Sequence, residues 1–270
     1  MKTIGVFDSG LGGLSVLRAL LLEMPEARYV YLADGAYTPY GGRSAAQVTE
    51  RAHRITQCLR QDSAVDALVV ACNTATAMAI ESLRQEHPDW PIVGVEPALK
   101  PAAALSRSGH IGVLATRGTV ESERFARLRT RVESESSRPL HFTTQACEGL
   151  VDAIEHGDEA TTRALCARYL DALRASAKTS APMDTLVLGC THYPFAADIL
   201  QTLSGPAVRL VETGAPVARR TRAVLGLPEA NAVVCGTPHI TLLSTGDPTP
   251  LAQASARWLG TTVGARHVDF

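Results

Sequence analysis

Short apolar runs alternate with longer stretches of helical spacing along the chain. Ile4-Gly5-Val6-Phe7, Tyr29-Val30-Tyr31-Leu32, Leu68-Val69-Val70-Ala71 and Pro91-Ile92-Val93-Gly94-Val95 each predict a buried strand. Between them, apolar residues recur at three-to-four spacing over 14–24, 44–62 and 76–87, which predicts helices. Strands without polar alternation, separated by helices, are the pattern of βα units whose parallel strands are covered on both faces.

The second half repeats the scheme. Ile111-Gly112-Val113-Leu114-Ala115-Thr116-Arg117-Gly118 echoes Ile4-Gly5-Val6-Phe7-Asp8-Ser9-Gly10, and Asp184-Thr185-Leu186-Val187-Leu188-Gly189-Cys190 echoes Asp66-Ala67-Leu68-Val69-Val70-Ala71-Cys72. Residues 4 and 111 lie 107 apart, and residues 72 and 190 lie 118 apart. These similar offsets predict an internal duplication. Residues 100–109 are expected to carry the crossing into the second half, and 132–139 to form a solvated loop. A helix over 195–203 and a strand over 208–211 follow. The last segment, with a helix at 215–225 and a strand at 240–243, is expected to return to the first half. The predicted fold is α/β, with two pseudo-symmetric domains of mainly parallel sheet flanked by helices. One domain comprises 1–97 plus about 207–270, and the other comprises 98–206.

Composition narrows the class. At 270 residues the chain is long enough for two domains of roughly 100–200 residues. It is 46% hydrophobic and 20% charged, enough to build a core. A net charge of −1 offers no basic surplus for nucleic acid or an anionic membrane, and neither partner is expected. There is no apolar signal core after Met1 and no long uninterrupted apolar run, so a cytoplasmic protein is expected. The six cysteines form no C-x-x-C pair, so no metal site is expected.

Two of those cysteines stand out by position. Cys72 and Cys190 each follow an apolar strand directly, where open α/β sheets bind ligands, and each begins a small polar segment that reads as a helix entry. Free N–H groups and the helix dipole there stabilise a thiolate and bind carboxylates. Two such thiols facing each other suit inversion of a carbon acid: one removes the α-proton and the other delivers a proton to the opposite face. Asn73, Thr74, Thr191 and nearby amides could hold the substrate carboxylate. Lys2, Lys100 and Lys178, the only lysines, do not end apolar strands, which disfavours pyridoxal phosphate. Gly10-Leu11-Gly12-Gly13 lacks dinucleotide-binding spacing, and no P-loop motif occurs. No cofactor is expected. Cys58, Cys147, Cys166 and Cys235 read as packing residues, and Arg219, Arg220 and Arg222 as a solvated helix face.

Four motifs together carry a family resemblance: Gly5-Val6-Phe7-Asp8-Ser9-Gly10-Leu11-Gly12-Gly13-Leu14, Pro39-Tyr40-Gly41, Val70-Ala71-Cys72-Asn73-Thr74-Ala75 and Leu188-Gly189-Cys190-Thr191-His192-Tyr193-Pro194. In these the chain resembles the glutamate racemases of the cofactor-independent aspartate/glutamate racemase superfamily, which make D-glutamate for peptidoglycan. The resemblance implies that Cys72 takes the proton from D-glutamate and Cys190 from L-glutamate. It implies that Asp8 and His192 tune those thiols, and that Asp8-Ser9, Tyr40-Gly41, Asn73-Thr74 and Thr191-His192 bind substrate. Glu155 falls where the family carries an active-site glutamate, and Thr116 and Thr119 resemble further carboxylate contacts. The resemblance also implies an active site between two α/β domains and a homodimer.

The chain departs from the family in places. Glu212 stands where the family commonly has Asp, and nothing beyond about residue 231 matches. The stretch Gly94-Val95-Glu96-Pro97-Ala98-Leu99-Lys100-Pro101 is similar to proteobacterial versions, some of which respond to a cell-wall precursor, so regulation of that kind is one implication. Two alternatives stand beside the leading reading. One is a two-cysteine relative acting on aspartate or a hydantoin. The other is a protein that binds a small amino acid or a protein partner without chemistry, since some members of the resembled family affect DNA gyrase.

Overall fold

The computed structural model describes residues 1–61, 63–228 and 239–270. In chain order the first stretch holds β1 (Thr3–Asp8), α1 (Leu14–Glu23), β2 (Arg28–Ala33), α2 (Ala45–Gln61), β3 (Ala67–Val70), α3 (Asn73–Glu86) and β4 (Ile92–Gly94). The middle holds α4 (Leu99–Leu105), β5 (His110–Ala115), α5 (Arg117–Val120), α6 (Glu123–Glu135), β6 (His141–Ala146), α7 (Leu150–Glu155), α8 (Glu159–Ala175), β7 (Thr185–Leu188), α9 (Ala197–Ser204) and β8 (Arg209–Val211). The last stretch holds α10 (Gly214–Val224), β9 (His239–Ser244), α11 (Thr249–Leu259) and β10 (Ala265–His267). Contacts divide the chain into two compact units, Met1–Val95 with Gly214–Phe270, and Glu96–Thr213.

Each unit is a parallel sheet. The first has the order β10-β9-β2-β1-β3-β4 and the second β6-β5-β7-β8. The run β2-β1-β3-β4 therefore has its counterpart in β6-β5-β7-β8, as a duplication requires. Register agrees as well: Ile4 pairs with Ala67 and Phe7 with Val70, while Ile111 pairs with Thr185 and Leu114 with Leu188.

The central strands are apolar throughout because helices cover both faces. In the first unit Phe7, Leu32, Leu68 and Val70 are buried against Val48, Ile55 and Leu59 of α2 and Ala79, Ile80 and Leu83 of α3. On its other side α1 packs against α10 and α11. In the second unit Ile111, Val113, Val187 and Val211 pack against Leu99 and Ala102 of α4 and Phe125, Leu128 and Val132 of α6. Among the described residues, no helix is long and apolar enough to cross a membrane.

The structure corrects several boundaries. The region 132–139 is not all loop. Phe125, Leu128 and Val132 share one helix face and are buried, so α6 persists to Glu135. The crossing region includes a helix, α4. Arg209–Val211, expected at the head of the returning segment, is instead the last strand of the second sheet because it pairs with β7. Arg222 is not on a solvated face: it is 6% exposed and its Nε donates to Glu23 at 3.1 Å. Cys58, Cys147 and Cys166 are buried, and Cys235 lies outside the described residues.

One carboxylate fixes the entry to the second sheet. Asp184 accepts from Ser106 Oγ at 2.6 Å, from the backbone N–H groups of Arg107 and Ser108 at 2.6 and 2.8 Å, and from Thr185 Oγ1 at 2.9 Å. Burial acts to raise its pKa, but these bonds outweigh it and hold the carboxyl well below the usual range. The stabilisation is thus present above the unfolded value near 4 and is lost as pH falls through the depressed folded value. Asp184→Ala is expected to lower unfolding free energy at neutral pH by about 2–3 kcal/mol. In urea titrations the deficit should shrink in acid.

Candidate active site

The first unit assembles its candidates where β1 and β3 end side by side. The backbone N–H of Ala71 donates to Phe7 O at 2.7 Å, which brings the residues after each strand together. Cys72 is the N-cap of α3, and its sulfur accepts from the backbone N–H of Ala75 at 3.4 Å. A thiolate there faces the positive end of a fourteen-residue helix. Cys72 Sγ also lies 3.7 Å from Ser9 Oγ. α3 begins three residues earlier than its apolar spacing predicts because Cys72, Asn73 and Thr74 form its first turn. Asn73 is 4% exposed, and neither its amide nitrogen nor its oxygen has a hydrogen-bond partner among the described residues. An orphaned buried amide costs roughly 1–3 kcal/mol, so it reads as a group whose partner is a ligand.

Asp8, fully buried, shapes the turn that precedes α1. One carboxylate oxygen accepts from the backbone N–H of Gly10 at 3.2 Å and of Gly13 at 2.9 Å. Gly13 is required there, since a Cβ on it would stand 2.6 Å from Asp8 Cβ and 2.8 Å from the Tyr31 hydroxyl. Asp8 therefore has a structural duty beside any catalytic one. Tyr40 and Gly41 lie in a 3-10 turn, Tyr40–Gly42, and Tyr40 Oη donates to Asp34 Oδ2 at 2.5 Å. Burial, then the adjoining Asp34 carboxylate, pushes the phenol far above its ordinary pKa, so Tyr40 stays neutral. Its proton is committed to Asp34. What the pair can offer a substrate is the Tyr40 ring and the leading N–H groups of the turn, which have no partner within it.

The second unit places Cys190, Thr191 and His192 after β7, next to the end of β5. Gly189 permits this approach, because a Cβ on it would stand 2.8 Å from Leu114 O. Here the expected helix entry is corrected. Residues Tyr193–Ala196 form a 3-10 turn containing Pro194, and α9 starts only at Ala197. Pro194 lacks an N–H and a continuous α-helix cannot be built through it from Cys190. Cys190 has a histidine instead: its sulfur lies 3.7 Å from His192 Nδ1, and His192 Nε2 lies 2.7 Å from Glu155 Oε1. Burial opposes charge on His192, but the hydrogen bonds to Cys190 and Glu155 prevail and hold its pKa well above the usual value. Glu155, at the end of α7, joins the constellation directly. Thr116 caps α5, and its hydroxyl lies 3.0 Å from that of Thr119.

The two thiols thus occupy equivalent positions with different support, a helix N-terminus for Cys72 and a histidine–glutamate pair for Cys190. Position 115 is the counterpart of Asp8, but Ala115 has no side-chain acceptor, and the carboxylate in the second unit comes from Glu155 of α7. Within each unit the candidates fall at one end of the sheet. Three residues that bear on the site escaped the sequence reading: Asp34, Arg51 and Thr245. Asp34 was visible as an acid at a strand end, but its partners are remote in sequence.

Residues 13–221 match the Asp/Glu/Hydantoin racemase family. The chain is 48% identical to a glutamate racemase from Ectopseudomonas mendocina (strain ymp), over 84% of this chain and 83% of that protein. Among solved structures, a glutamate racemase isoform from Bacillus anthracis superposes with a TM-score of 0.83 and 28% identity, covering 99% of this chain and 97% of that one. The Escherichia coli glutamate racemase, solved with L-glutamate and the activator UDP-MurNAc-ala, gives a TM-score of 0.81 and 32% identity, covering 98% and 96%. With most of its length inside the family match and close relatives along it, the chain belongs to the Asp/Glu/Hydantoin racemase family.

Proposed function

We propose that this chain interconverts L- and D-glutamate by direct proton transfer at the α-carbon, supplying D-glutamate for peptidoglycan in the cytoplasm. The supporting observation is the equivalence of Cys72 and Cys190, each placed after the third strand of a matching four-strand run. In this reading Cys72 and Cys190 act on one substrate. The Cys72 thiolate takes the α-proton of D-glutamate as the C–H bond breaks and S–H forms. Cys190 gives its proton to the opposite face and is left as a thiolate, beside the charged His192. For L-glutamate the roles reverse. Asn73, Thr74 and Thr191 hold the carboxylate and draw off charge as it develops, Ser9, Gly41, Thr116 and Thr119 completing the cradle.

Incubation of the cofactor-free, chelator-treated protein with L-glutamate in deuterium oxide tests this. The expected result is loss of optical rotation with solvent deuterium at the α-carbon of the D-glutamate formed. Parallel assays with aspartate and a hydantoin separate the reading from its sister activities, and preferred turnover of either would replace glutamate as the substrate. A homodimer is expected in solution. The activator of the E. coli neighbour makes a UDP-linked cell-wall precursor a candidate effector.

A further inference from the structure

A network behind the Tyr40–Gly41 turn ties it to the C-terminal segment, the part of the chain beyond the family match. Asp34 is fully buried at the end of β2 and its carboxylate accepts four hydrogen bonds. Oδ1 accepts from Arg51 Nη2 at 2.7 Å and Thr245 Oγ1 at 2.7 Å, and Oδ2 from Arg51 Nε at 3.0 Å and Tyr40 Oη at 2.5 Å. A carboxylate has about four acceptor positions, so this one is saturated and each donor fixes the direction left for the others. Thr245 reaches further: its hydroxyl accepts from the backbone N–H of Ala36 at 3.2 Å, and its own N–H donates to Ala33 O at 3.0 Å. The loops after β2 and β9 meet at two glycines, a Cβ on Gly246 standing 3.0 Å from Ala36 N and Gly35 C. The Arg51 guanidinium stacks 3.9 Å from the Tyr37 ring centroid and lies 5.2 Å from that of Phe270.

We infer that Thr245 and Arg51 are positioning residues for the reaction, acting through Asp34 to set the place of the Tyr40 ring and the Tyr40–Gly41 amides beside the Cys72 half-site. The inference rests on the racemase reading for its kinetic consequence, but its structural part stands apart from it. Neither residue need touch substrate. A shift of about 1 Å in a positioning element can cost up to about a hundredfold in rate. Removing the Thr245 hydroxyl leaves one acceptor position of Asp34 open, so the carboxylate can re-aim and take the Tyr40 hydroxyl with it.

The test compares Thr245→Val, which keeps the shape and loses the hydroxyl, with Thr245→Ser, which keeps the hydroxyl. Phe270→Ala, which removes only the outer ring over Arg51, is the milder third variant. Glutamate racemisation and amide hydrogen exchange over residues 34–43 are read on all three, alongside thermal melting. Thr245→Val is expected to lose about tenfold in kcat/KM, mostly through KM, and to lose exchange protection in 34–43. Thr245→Ser should restore both. Phe270→Ala should raise KM about threefold, the scale of one exposed cation–π contact. Wild-type kinetics in Thr245→Val, or unchanged protection over 34–43, would overturn the inference. So would a Thr245→Val protein whose loss of activity follows only a general fall in melting temperature while Phe270→Ala leaves KM and exchange unmoved. A wild-type protein that does not turn over glutamate overturns the functional reading alone, and the exchange measurement still decides the positioning claim.

Discussion

Cys72→Ala and Cys190→Ala are each expected to abolish glutamate racemisation in both directions, with kcat falling by at least about a thousandfold. A positioned acid or base contributes roughly 10²–10⁴ in rate, and each alanine removes the base in one direction and the acid in the other. The loss in kcat/KM should not depend on which enantiomer is supplied, since the equilibrium constant of a racemisation ties the two kcat/KM values together. Cys166→Ala is the control. Cys166 is fully buried in α8, burial pushes its thiol up to about 11, and its removal should leave turnover intact. Stopped turnover in both active-site variants with native melting curves would assign the chemistry to the thiols. Racemisation at the wild-type rate in either variant would remove that thiol from the mechanism.

The second large effect is expected at His192. This side chain, 2% exposed, bridges Cys190 and Glu155, and the hydrogen bonds to both raise its pKa against the opposing effect of burial, which favours the cation. For a group whose folded pKa is raised, the contribution is complete below the unfolded value near 6.5 and disappears as pH rises through the folded value. The account therefore predicts an alkaline limb in the kcat/KM profile as His192 loses its proton. His192→Asn should reduce kcat/KM about a hundredfold or more and flatten that limb. Glu155→Gln, which keeps a hydrogen-bond acceptor but not the charge, should cost less and move the limb to lower pH. A limb of unchanged position in both variants would show that the histidine does not govern the thiol.

Much of the fold can be read from the sequence for a definite reason. Parallel strands covered on both faces cannot hide among polar residues, so Ile4–Phe7, Leu68–Val70 and Leu186–Leu188 stand out as apolar runs. β6 does not, because as an edge strand it carries His141, Thr143, Thr144 and Gln145. α8 is equally quiet, its buried Cys166, Tyr169, Leu170 and Leu173 diluted by Arg and Ala. Cys72 and Cys190 are legible because a strand end marks each of them. The support behind them is less so. Glu155 comes from 37 residues before His192, and Thr245 reaches Asp34 across 211 residues, and no local pattern encodes either distance. The asymmetry of the two thiols was half visible, as Asp8 against Ala115. Its other half, the 3-10 turn at Pro194 that denies Cys190 a helix N-terminus, emerges only in three dimensions.

The central claim is that both sulfurs address one carbon. A crystal structure of the protein with glutamate bound measures this most directly. The account predicts Cys72 Sγ and Cys190 Sγ on opposite faces of the α-carbon, each within proton-transfer reach at about 3–3.5 Å. Glutamate bound with either sulfur on the same face as the other, or remote from the α-carbon, would contradict it.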